Sequence, residues 1–204
     1  MIIMRCTTAL LALLVATAPV AASTSDQPQV IVRQVTDRVI EILQQKDLPN
    51  NEKRAKIELI VMEYVDFETL SKLVIARNWS KFSPEQQQEF MTQFQEHLAR
   101  TYGRRLDDYR NEKVVITGEH EEARGDRTVN TKVPRGETDI LVDYRLRQKD
   151  GSWKMIDIVI EGVSLVANFR SQFQGIVSSG GPEKLIQLLR EKNARAATAG
   201  DTEA

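Results

Sequence analysis

The sequence predicts an α+β fold: N-terminal helices on a four-stranded antiparallel meander sheet, followed by two C-terminal helices. Three observations carry this. Apolar residues recur at helical spacing as far as Tyr109, alternate from Lys113 to Glu161, and return to helical spacing after Ser164. Turn residues divide the alternating stretch at short intervals, which suits hairpins and leaves no room for crossover helices. The last alternating run, Trp153 to Glu161, is apolar on both faces apart from Asp157, so a second apolar layer must meet it.

Gln27 to Gln45 reads as the first helix, with Pro28 near its start and Ile31, Val35, Val39 and Ile42 at helical spacing. Leu48-Pro49-Asn50-Asn51 breaks it. Glu52 to Tyr64 is a second helix with Ile57, Ile60, Val61 and Tyr64 on one side, and Asp66 can cap a third through Val74. Ser83-Pro84-Glu85-Gln86 is the clearest start signal: Ser83 suits the N-cap, Pro84 the first helical position and Gln86 the reciprocal partner of a capping box. That helix is expected to reach about Tyr109. At ~100° per residue, Phe90, Met91, Phe94, Leu98, Tyr102, Leu106 and Tyr109 fall within an arc of roughly 160°, a broad aromatic face.

Val114 and Ile116 open the strand region, before an acidic turn from Glu119 to Asp126. Thr128 to Val133 is a more polar strand, and Pro134-Arg135-Gly136 turns the chain. Ile140, Val142, Tyr144 and Leu146 alternate in the third strand, and Asp150-Gly151 is a strong hairpin signal. In the fourth, Ile156, Ile158 and Ile160 are expected on one face, with Trp153, Met155 and Val159 on the other. Ser164 can cap a helix to Ser179, where Gly180-Gly181 stops it and Pro182 opens the next. Residues 23–192 make one domain, and Asn193 to Ala204, small and polar, is expected to be a disordered tail.

Residues 1–22 read as a cleavable signal peptide: a short positive start at Arg5, a small-apolar run from Ala9, and Val20-Ala21-Ala22 before the cut. The run is far shorter than the ~20 residues a spanning helix needs. Cys6, the sole cysteine, precedes it, so the mature chain is expected to lack disulfides and thiolate ligands. An exported, disulfide-free domain of this size fits a periplasm. Lys and Arg number 28 against 29 Asp and Glu, a net charge of −1 that argues against a nucleic-acid partner.

Catalytic and metal motifs are missing. The two histidines, His97 and His120, lie far apart on different element types, and no HExxH, phosphate loop or nucleophile elbow occurs. His97 reads as a solvated or partly packed side chain. Asp107-Asp108 and Glu121-Glu122 are adjacent pairs that cannot face each other. Two features stand out. One is the apolar excess, which a well-filled core explains as readily as a ligand pocket. The other is Asp157, a carboxylate on a face that should be buried, which needs hydrogen bonds or an ion partner unless it serves as an acid/base.

The stretch Trp153-Lys154-Met155-Ile156-Asp157-Ile158-Val159-Ile160-Glu161-Gly162-Val163-Ser164-Leu165, followed by Asn168-Phe169-Arg170-Ser171-Gln172-Phe173, resembles the signature of the MlaC-like toluene-tolerance family. Asp66-Phe67, Trp79, Ser83-Pro84-Glu85-Gln86 and the spaced Phe90, Phe94 and Tyr102 match its helical half, so the resemblance spans about Gln27 to Lys192. One departure is Ala76-Arg77-Asn78-Trp79, where the family often has Gly before its Arg-x-Trp.

The resemblance implies a curved sheet enclosing an apolar cavity with the helices, and a bound phospholipid as cargo rather than a cofactor. It implies a periplasmic carrier, not an enzyme, exchanging lipid with an outer-membrane lipoprotein complex and an inner-membrane ABC transporter complex. Under that reading the tail contacts are Phe90, Phe94, Leu98 and Tyr102 from the first aromatic stripe and Tyr144, Met155 and Val159 from the sheet. Val163, Val166, Phe169 and Phe173 complete them, and Arg170 is placed to meet a head-group phosphate or to pair with Asp157. The carrier is expected to be a monomer. Competing readings are a small pocket enzyme using Asp157 and an envelope adaptor that holds no ligand.

Overall fold

The computed structural model describes residues 27–103, 106, 109 and 111–201; the expected signal peptide lies outside them. Helices α1 (Pro28–Gln44), α2 (Asn50–Tyr64) and α3 (Phe67–Ile75) lead, through a 3₁₀ turn (Ala76–Lys81), to α4 (Pro84–Gly103). Strands β1 (Val115–Glu121), β2 (Arg127–Arg135), β3 (Thr138–Lys149), β4 (Ser152–Ile160) and β5 (Val163–Ser164) form one antiparallel sheet in sequence order, and α5 (Leu165–Asp201) follows.

The caps read from the sequence are made. The Ser83 N–H donates to Gln86 Oε1 (3.1 Å) and the Gln86 N–H returns to Ser83 Oγ (3.3 Å), the reciprocal box that starts α4. The Asp66 carboxylate takes the Thr69 N–H (3.0 Å) and hydroxyl (2.6 Å), and Lys149 stands 3.1 Å away. The Asp66 N–H donates to the Met155 carbonyl, tying the α2–α3 junction to β4. Asp150 and Gly151 both carry positive φ (51° and 81°), as a tight hairpin between right-twisted strands requires.

The structure departs from the expected elements at four places. The sheet has five strands, because Glu161 and Gly162 (φ 49° and 77°) form a second tight turn that returns two residues onto β4. Helix α4 is described as far as Gly103, and beyond it Leu106 lies in a 3₁₀ turn and Tyr109 in no regular element, so the α-helix does not reach Tyr109. β1 runs through part of the acidic segment, where Glu119 and Glu121 pair with Arg127 on the next strand. The C-terminal residues continue as helix to Asp201 instead of trailing off at Asn193, which is buried and donates to the Gln93 carbonyl of α4 (3.0 Å). The break at Gly181 (φ 73°) followed by Pro182 divides α5 into two arms, as read from the sequence.

Two apolar clusters result. In one, α3, α4 and α5 bury Phe90, Phe94, Val166, Phe169, Phe173 and Leu185, flanked by Leu98 and Tyr102. In the other, α1 and α2 lay Ile31, Val32, Val35 and Ile60 over Val129, Leu146 and Met155 of the sheet.

Candidate functional site

A β-bulge decides which sheet residues face the helices. Arg145 pairs with Asp157 and Leu146 with Met155, so Ile156 is an extra residue in β4 and the alternation changes parity across it. Met155 therefore shares a face with Ile158 and Ile160, opposite Leu146, Tyr144 and Val142 respectively, while Val159 pairs with Asp143 on the other face. Sequence alternation had grouped Met155 with Val159. The structure separates them, and Val159 leaves the set of candidate contacts on this face. Ile158 and Ile160, which sequence reasoning passed over, join it.

This face is incompletely covered. Val142, Ile158 and Ile160 are half-buried and belong to neither packed cluster. Tyr144 packs at the edge of the α1–α2 cluster and keeps part of its surface accessible, yet burial alone pushes its hydroxyl up to about 12. With Val142, Ile158 and Ile160 this tyrosine forms a partly open apolar strip on the helix-facing side of the sheet, the recess of this fold. Among the described residues its hydroxyl has no hydrogen-bond partner. The recess is thus apolar, with one polar atom at its wall.

The other predicted contacts divide. Phe90, Phe94, Phe169 and Phe173 pack ring on ring, with centroids 5.0 to 6.1 Å apart in stacked and edge-to-face pairs. Val166 is buried among them; Leu98 and Tyr102 line the cluster's half-buried flank. His97 sets its ring edge-on to Phe169 at 5.9 Å, and burial, with Lys192 nearby, lowers its pKa. Val163 stands 57% exposed on β5, opposite Ile160, at the rim of the sheet face and not within it.

Asp157 and Arg170 do not pair. Asp157, 2% exposed, takes the N–H groups of Ile158 (2.9 Å) and Val166 (3.0 Å) and the Ser164 hydroxyl. Ser164 Oγ in turn accepts the Ala167 N–H, so the two residues together cap α5. Arg170 donates through Nε (2.9 Å) and Nη2 (2.6 Å) to the Leu73 carbonyl, one of the last carbonyls of α3. The cation caps the negative end of that helix. The bond to Leu73, 97 residues away, was not among the roles read for Arg170 from the sequence.

Two small surface pockets lie elsewhere on the described residues. One, of about 220 Å³, is lined by Ile75, Ala76, Arg77, Asn78, Arg170 and Gln174. The other, of about 310 Å³, lies between α1 and α2 beside Ile42, Leu59 and Ile60. Among the described residues no three His, Cys, Asp or Glu side chains gather as metal ligands, and no helix is long and apolar enough to cross a membrane.

The fold and this recess define an α+β domain whose antiparallel meander is roofed by helices on an incompletely filled apolar face. Residues 33–191 match the family model described as MlaC protein, and the chain belongs to the MlaC family. It is similar to the intermembrane phospholipid transport system binding protein MlaC of Haemophilus influenzae, 27% identical over 175 residues, covering 80% of this chain and 81% of that protein. It is also similar to the toluene tolerance protein ttg2D of Pseudomonas putida, 26% identical over 200 residues, covering 94% and 93%. A solved structure of the phospholipid-binding protein from Ralstonia solanacearum, in complex with a phospholipid, superposes with a TM-score of 0.75 at 29% identity. The match covers 83% of this chain and 98% of that one.

Proposed function

We propose that this chain is a periplasmic phospholipid carrier that moves lipid between an outer-membrane lipoprotein complex and an inner-membrane ABC transporter complex, and so maintains outer-membrane lipid asymmetry. The observation that carries the reading is the recess at Tyr144, Ile158 and Ile160, in a chain whose structural relative holds a phospholipid. The half-buried sheet residues make the first contact with an acyl chain. The aromatic cluster of α4 and α5 supplies a second wall once the helices part from the sheet.

Hiding two acyl chains of roughly thirty carbons is worth on the order of 25 kcal/mol at ~0.8 kcal/mol per CH₂. A membrane offers nearly the same gain, so transfer is close to thermoneutral and direction is imposed by the partner complexes. Residues 1–22 would deliver the chain to the periplasm, where it acts as a monomer without a cofactor. The commitment of Asp157 to the start of α5 weighs against a pocket enzyme. The test is native mass spectrometry of the mature protein, purified without detergent, followed by solvent extraction. One phospholipid per chain is expected; a homogeneous ligand-free protein of undiminished stability overturns the reading and favours an adaptor.

A further inference from the structure

We propose that His97 is an acid-sensitive latch between α4 and the end of α5: protonation of its imidazole frees the last turns of α5 from α4. The break at Gly181, with Pro182 after it, makes the second arm of α5 a separate piece. Leu185, Ile186 and Leu189 hold that arm by burial in the aromatic cluster. Beyond Leu189 no large apolar side chain of the described residues is buried, and the hold passes to polar groups. Arg190 pairs with Glu89 of α4 at the surface, where an ion pair contributes little. Asn193, 3% exposed, donates through Nδ2 to the carbonyl and to Oε1 of Gln93, both at 3.0 Å, and is the main fastening of this end.

His97 lies one turn along α4 from Gln93 and stands against the same end of α5. Its ring is half-buried, edge-on to Phe169 of the first arm at 5.9 Å, and within the field of Lys192, the neighbour of Asn193. On α4 itself the nearby charges are Glu96 and Arg100, which pair with each other at 2.8 Å. Among the described residues no carboxylate acts on the ring to favour its charge. The Asn193 side chain, whose Oδ1 is buried without a hydrogen bond, does favour it. Burial and the Lys192 ammonium oppose the charge and prevail, which holds the imidazole below its ordinary pKa. The unfolded chain keeps a value of about 6.5. The stability His97 contributes is therefore fully present above that pH and is lost as pH falls through the lower folded value. The loss falls where the structure is weakest, on a helix end with one buried fastening. What lifts is the part of α5 that lies over Gln93 and His97, at the margin of the aromatic cluster.

The latch is built into the polypeptide, so its test stands independently of lipid carriage. Hydrogen exchange of the full mature chain is followed by mass spectrometry between about pH 8 and pH 5, with rates corrected for their intrinsic pH dependence. The His97 ring is titrated by NMR over the same range, its resonance assigned by its loss in His97→Gln. Protection of the peptides beyond Leu189 is expected to fall several-fold as His97 titrates with a midpoint below 6.5, while peptides from α1 and β2 keep theirs. His97→Gln should hold the protection of that end level across the range. Lys192→Gln, at an exposed position that leaves the Asn193 clasp intact, should move the midpoint upward. Equal protection of β2 in the parent and both variants shows that each is folded. A midpoint at or above 6.5, or one indifferent to Lys192→Gln, overturns the proposal. So does an end whose protection ignores pH, or an acid loss that survives His97→Gln.

Discussion

The carboxylate of Asp157 accepts the backbone N–H of Val166 at 3.0 Å, so the last long strand holds the start of the last helix by a charged cap. The pair joins the sheet to the helix that carries Phe169 and Phe173, and Asp157 is buried while doing so. Asp157→Ala removes an acceptor from three donors and leaves them unsatisfied. A loss of about 2–3 kcal/mol is expected in urea unfolding, read as a lower midpoint at unchanged slope. Asp157→Asn keeps one amide oxygen and should lose less. A variant as stable as the parent would contradict the cap.

Ala76 sits at φ 52° and ψ −130°, a region that costs an L-residue about 1–3 kcal/mol. Glycine adopts it freely but adds about 0.5–1 kcal/mol of unfolded-state entropy. Ala76→Gly should therefore stabilise by about 1 kcal/mol and raise Tm by about 2–4 °C. Calorimetry checks it, and a fall in Tm would mean that the strain is not there.

Asp66 carries a pH dependence. Burial disfavours its charge, but the Thr69 hydroxyl and N–H and the Lys149 ammonium outweigh this and lower its pKa. The folded value then lies below the unfolded one of about 3.9. Its stabilisation is fully present above that pH and is lost as pH falls through the lower folded value. Asp66→Asn should weaken the protein at pH 7 by about 1–2 kcal/mol and flatten the acid limb of the stability curve. Equal acid sensitivity in both proteins would refute the assignment.

The β4 bulge yields a paired prediction. Ile158→Ser and Ile160→Ser lie on the recess face, while Leu141→Ser lies on the opposite one and is already 53% exposed. The first two should lower the phospholipid retained per chain several-fold, and the third should leave it unchanged. Lipid phosphorus per mole of purified protein measures this directly.

The parts of the fold legible in the sequence are those set by local chemistry. Asp66, Ser83, Ser164 and Asp150-Gly151 each act within a few residues, and each cap and turn forms where its side chains predict. The strand order followed from short turns. What stayed hidden depends on partners distant in sequence. The bulge at Ile156 exchanges the faces of β4 without any Gly or Pro to announce it. Arg170 bonds a backbone carbonyl, which no side-chain pattern reveals, and Asn193 anchors a helix end that composition alone reads as a tail. The turn at Glu161-Gly162 was visible in principle, since Gly with a preceding polar residue suits positive φ. Core and ligand-lining residues share one apolar vocabulary, so alternation could not divide the aromatic cluster from the recess.

The most direct measurement is photo-crosslinking with a phospholipid whose acyl chain ends in a diazirine, loaded into the mature protein and mapped by peptide mass spectrometry. The account predicts labels on Tyr144, Ile158 and Ile160, with the Phe90 and Phe169 cluster next. Labels confined to Leu141 and Val159 on the opposite sheet face, or to the α1–α2 surface at Leu59, would contradict it.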